Sequence, residues 1–143
     1  MNLLKAIENS FRENNMTELL GKLNDIGDLL EYGDLSKEEL IACIDCFLSH
    51  IENLYDISII ENILNICFNV MEAHSVFEGF NLDPVISSLD RLDKECISYV
   101  FTLIGFSGDE KYKVILEKYL SNVDLKDEAE EALTELNYRL NGK

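Results

Sequence analysis

The chain has no tryptophan, a single proline, Pro84, and seven glycines in 143 residues. So few breakers leave too little turn material for a many-stranded all-β protein. Cations are scarce as well. Lys and Arg number 12 against 28 Asp and Glu, a formal net charge of −16, and a surface of that sign repels nucleic acid and anionic membranes. The natural complement is a basic protein. Apolar runs such as residues 99–106 fall far short of the roughly 20 residues that a membrane-spanning helix needs. The opening Met1-Asn2-Leu3-Leu4-Lys5-Ala6-Ile7-Glu8 is broken by a charge before an export signal could form. A Gly-rich phosphate loop, a nucleophile signature and a D-x-[DN]-x-[DN]-G calcium loop are all missing, so neither an enzyme nor a cofactor is expected.

What is present is helical periodicity across one domain-sized chain, 1–143. Apolar residues recur at three- and four-residue steps. A first helix covers about 2–14 and a second about 17–32, closing at Gly33, and the two are expected to form a hairpin. Ser36-Lys37-Glu38-Glu39 reads as a capping box opening a third helix, in which the Ser36 hydroxyl and the Glu39 carboxylate satisfy each other's orphan amides. A fourth, about 57–73, is apolar on more than one side and so belongs at the centre. Asp83-Pro84 opens a short helix, Asp93 caps the next, Ser107-Gly108-Asp109 turns into another, and the last begins near Lys126. The fold class is all-α with seven or eight helices.

Glu95-Cys96, Val100 and Leu103 recur as Glu128-Ala129, Leu133 and Leu136 at an offset of 33 residues, with Ile63, Cys67 and Val70 one offset earlier. Helix pairs of this kind bury their apolar faces only by stacking. Residues 93–136, through Leu103-Ile104-Gly105-Phe106-Ser107-Gly108-Asp109-Glu110 to Glu128-Ala129-Glu130-Glu131-Ala132-Leu133, resemble HEAT-type repeats, although Cys96 and Tyr99 stand where that family usually has Ala. The resemblance implies a short right-handed α-solenoid of stacked antiparallel helix pairs. The size, the acidity, the opening hairpin and the tail from Gly108-Asp109-Glu110-Lys111-Tyr112 to Ala132-Leu133 also resemble the immunity proteins of bacterial polymorphic toxin systems, particularly the immunity protein 30 type. That resemblance implies a cytoplasmic, non-enzymatic inhibitor of one cognate toxin.

Charge is unevenly distributed. Between Glu38 and Asp90 stand ten carboxylates and no Lys or Arg. Glu38, Asp45, Glu52 and Asp56 fall near one stripe of the third helix, and Glu61 and Glu72 join Asn62, Asn65 and Asn69 on the fourth. One reading is a solvated face; the other is a recognition surface for a basic toxin, a nuclease being the kind that most needs this sign. The expected partner-binding residues are Glu38, Asp45, Glu52, Tyr55, Asp56, Glu61, Asn65, Glu72, Phe77 and Phe80, the aromatics as hot spots at its rim. An adaptor for an unrelated protein is the alternative, and a DNA glycosylase-like HEAT protein is disfavoured because no basic groove is available.

Cys43, Cys46, Cys67 and Cys96 all fall at apolar helical positions, as free thiols of a reducing cytoplasm do. Cys43-Ile44-Asp45-Cys46 with His50 shares one helix face. Zinc there would need a fourth ligand, for which Cys67 and His74 are the candidates. An antiparallel hairpin sets His74 at the opposite end from His50, so core packing is preferred and no metal is expected.

Overall fold

The computed structural model describes residues 2–142, and among these there is no strand. Eight α-helices are described: α1 (Leu3–Ser10), α2 (Met16–Tyr32), α3 (Lys37–His50), α4 (Ile57–His74), α5 (Asp83–Ile86), α6 (Lys94–Ser107), α7 (Lys113–Lys118) and α8 (Lys126–Asn141). Single 3-10 turns follow α3, α5 and α7, and a fourth leads into α7. No described helix is long and apolar enough to cross a membrane.

Local sequence explains most of the boundaries. Side-chain oxygens of Asn2, Asn15, Ser36, Asp56 and Asp93 each accept the backbone N–H three residues on, satisfying an orphan donor of the first turn. The first helix is shorter than its apolar pattern suggests. Asn15 takes an extended backbone to cap α2, and the chain must leave helical geometry before it. At Ser36 the hydroxyl accepts from Glu39 N at 3.1 Å and donates to the Glu39 carboxylate at 3.1 Å, so that carboxylate bonds the hydroxyl and not the Ser36 amide. Asp83 does not cap α5. Its carboxylate accepts from the Tyr112 hydroxyl instead, at 2.7 Å, and Asn81 takes the Asp83 amide.

The helices pack in two rows. In one, α2 lies against α4, α4 against α6 and α6 against α8; in the other, α1 lies against α3 and α3 against α5. The central place expected for the fourth helix is therefore occupied: α4 touches α2, α3 and α6, and buries Ile59, Ile60, Ile63, Leu64, Ile66, Cys67, Val70 and Met71. The buried apolar side chains form one cluster running from Ile7 to Leu136. α6 and α8 approach closely at Gly105, where a Cβ would stand 3.1 Å from the Ala132 carbonyl oxygen of α8. The four cysteines are free, three of them buried and Cys46 half-buried.

Candidate functional site

The stripe expected on the third helix does not run its full length. α3 ends at His50, so Glu52 falls in the following 3-10 turn and Asp56 caps α4. Four of the expected residues gather at that corner. Asp45 accepts the Asn81 amide at 2.8 Å; burial pushes its carboxyl up, and this hydrogen bond partly offsets the shift. Glu52 accepts from the Ser87 hydroxyl at 3.2 Å. Tyr55, 79% exposed, lies under the Arg91 guanidinium at 5.1 Å. The span without cations in sequence is thus met by a cation in space. Glu38 sits apart, on a groove between α1 and α3 lined by Leu3, Leu4, Glu39 and Ala42.

A second group lies on the outward side of the row α4, α6 and α8. Glu61 and Asn65, one turn apart on α4, line a groove of about 260 Å³ with Ser58, Asn62 and Tyr99, and the Tyr99 hydroxyl donates to Asn65 Oδ1 at 3.4 Å. Next to it, Ser98, Thr102 and Phe106 of α6 face Glu128, Glu131 and Glu135 of α8 across a groove of about 180 Å³. Ser98 and Tyr99 are neighbours, so the two grooves flank the same stripe of α6. Gly105 forms the floor of the second groove because a side chain there would push the helices apart. Glu72 is exposed near the end of α4.

The α8 carboxylates are functional candidates that the sequence reading left out. Their signal is present, a Glu128, Glu131, Glu135 spacing of three and four that sets all three on one helix face. Ion pairing does not quench this face. Glu135 stands 3.7 Å from Arg139, whereas among the described residues no Lys or Arg pairs with Glu61, Glu128 or Glu131.

Phe77 reaches the edge of the second groove through Phe106. Phe77 stacks on Phe106 at 4.9 Å, and Arg139 lies over both rings, at 5.1 and 4.6 Å. Phe80 is half-buried against the core, so neither Phe77 nor Phe80 stands alone in solvent.

Among the described residues one group of three side chains has metal-ligating atoms within 4.8 Å of one another: Glu8, Cys46 and His50. It shares two members with the combination weighed from sequence. Cys43 and Cys67 are buried, and His74 Nε2 bonds the Leu30 carbonyl at 2.7 Å, which leaves Glu8 of α1 as the nearby third donor. Cys46 packs against the core but is only half-buried, and its thiol donates to Glu8. The Cys46 thiol and then the His50 ring hold the Glu8 carboxyl below its usual range, while burial and that carboxylate push the thiol up to about 12. Comparison of the chain with family models, with curated proteins and with solved structures finds no match.

Proposed function

We propose that this chain is a non-enzymatic immunity protein of the bacterial cytoplasm, which binds a cognate basic toxin and occludes its active or substrate-binding surface. The supporting observation is the outward face of α4, α6 and α8, where Glu61, Glu128 and Glu131 line adjoining grooves and no cation among the described residues pairs with them. Unpaired carboxylates retain their field, and a field of one sign steers a basic partner and raises its association rate by about 10- to 1,000-fold. It also rejects partners of the wrong sign. The two rows of packed helices support a stacked-pair architecture of the HEAT kind, with the successive α4, α6 and α8 offering a broad binding face.

The experiment is neutralisation. The chain is co-expressed with the toxin encoded beside its gene, and growth is measured with and without reversal of Glu61, Glu128 and Glu131 to Lys. Protection by the native chain and its loss in the reversed one support the reading. A toxin that kills equally in the presence of the native chain overturns it, and a gene neighbourhood without a toxin favours the adaptor.

A further inference from the structure

Cys46 and His50 stand one turn apart on α3, a spacing that puts two side chains on one face, and α1 lays Glu8 across them. Glu8 Oε1 lies 3.0 Å from Cys46 Sγ and 3.3 Å from His50 Nε2. Oxygen, nitrogen and sulfur ligands of a tetrahedral ion, bonded at about 2.0–2.3 Å, stand roughly 3.3–3.6 Å from one another. All three donor atoms lie within 4.8 Å of one another, so small side-chain adjustments on α1 and α3 would reach that spacing. We propose that Glu8, Cys46 and His50 bind a divalent ion of the zinc class through one carboxylate oxygen, one thiolate and one imidazole nitrogen, with the fourth position open to water.

The surroundings favour this over a simple hydrogen-bonded triad. Phe11 stacks on the His50 ring at 3.9 Å with 13° between planes, which fixes the orientation of the imidazole. Cys46 and His50 are half-buried and Glu8 is exposed, so an ion has an approach from solvent and a partly dry seat. The donor set is mixed, and sulfur with nitrogen selects zinc over the magnesium and calcium that carboxylates alone would attract. As the sulfur–metal bond forms, the Cys46 thiol proton passes to solvent, and the thiol–Glu8 hydrogen bond gives way to two bonds to the same ion. The ion would clip α1 to α3. It would add to the packing that already holds α1, through Ile7 in the core and Leu3, Ala6 and Phe11 against it.

Cobalt(II) is the probe, because a cysteine ligand gives it a thiolate-to-metal charge-transfer band. Chelator-treated protein titrated with cobalt(II) should develop that band, saturate at one equivalent, and lose it on addition of zinc(II). Cys46→Ser should abolish the band, Glu8→Gln and His50→Gln should weaken binding by about tenfold or more, and Cys43→Ser should leave it unchanged. Circular dichroism checks that each variant is folded, and Glu8→Gln, on the exposed side, carries the test if a Cys46 variant does not fold. Absence of the band in the native chain overturns the proposal. So does a cobalt affinity that is unchanged in Glu8→Gln, or a band that falls with Cys43→Ser, since either would put the ion elsewhere.

Discussion

Arg91 closes the end of α3 from a distance: its guanidinium donates to the Ile51 carbonyl oxygen at 2.9 Å, forty residues back along the chain. The same group donates to the carbonyls of Glu52 and Leu54 and to the Ser88 hydroxyl. These carbonyls lie where a helix runs out of internal partners. The first cation after the acidic span therefore serves backbone oxygens and no carboxylate. Hydrogen bonds to a charged group contribute about 1.5–3 kcal/mol each and are not additive, so Arg91→Ala should cost roughly 2–4 kcal/mol in urea unfolding. Arg91→Lys should recover only part, because an ammonium cannot reproduce the planar fork.

Two glycines should respond in opposite directions. At Gly21 in α2 nothing lies within 4 Å of an added Cβ, so Gly21→Ala should raise stability by about 0.5–1 kcal/mol through helix propensity alone. At Gly105 the neighbours are the Ala132 backbone and Glu135 Cβ at 3.3 Å, which cannot yield without moving α8. Gly105→Val should cost about 1–3 kcal/mol, read as a lower urea midpoint at unchanged slope.

How far these features could be read from sequence follows the range of the interactions. The capping residues Asn2, Asn15, Ser36, Asp56 and Asp93 act over three residues, and Ser36, with Asp93, is legible as a helix start. Ile63, Cys67 and Val70 announce a buried helix because their spacing matches the helical period. Arg91 on Ile51, Glu8 on Cys46 and Asp45 on Asn81 span 36 to 40 residues, and no local pattern specifies them. The acidic stripe drawn along the third helix breaks where α3 ends at His50. A charge run along the chain does not reveal a face assembled from distant helices, such as the one that sets Glu61 of α4 beside Glu128 and Glu131 of α8.

Acid should destabilise the fold through Glu13 and Asp83. The Asn15 amide and then Lys22 hold the Glu13 carboxyl below its usual range, and the Tyr112 hydroxyl and then Lys111 do the same for Asp83. A depressed folded-state value means that the unfolded chain binds protons first. The stabilisation is present above the ordinary carboxylate range, about pH 4–4.5, and disappears as pH falls through the lower folded values. Glu13→Gln and Asp83→Asn should flatten this acid limb in unfolding measured from pH 6 to pH 2.5 (roughly the window of these groups). Asp45 has the opposite sign. Burial raises its carboxyl, so its contribution is present at low pH and lost as pH rises through the folded value. Asp45→Asn retains an acceptor for the Asn81 amide and should be more stable than the native chain at neutral pH, with the gain vanishing in acid.

Charge reversal tests whether recognition is localised. Glu61, Glu128 and Glu131 line adjoining grooves of the α4, α6 and α8 face. Changing all three to Lys should slow association with a basic toxin and flatten its dependence on salt, because steering by exposed charges is screened beyond a Debye length of about 8–10 Å. The matched control is Glu18, Glu110 and Glu117, exposed on α2, in the turn before α7 and on α7, with the same change in net charge. Net charge alone would slow both triple variants equally. A localised field instead predicts a loss in the first set that greatly exceeds the second, while dissociation changes less than association. Stopped-flow association at several salt concentrations separates the two, and urea unfolding of each variant checks that stability has moved by no more than about 0.5 kcal/mol per substitution. Equal slowing would remove the groove face as the recognition surface. Loss confined to a third set, Glu52 and Asp56 beside Tyr55 and Arg91, would move it to the corner where α3 ends.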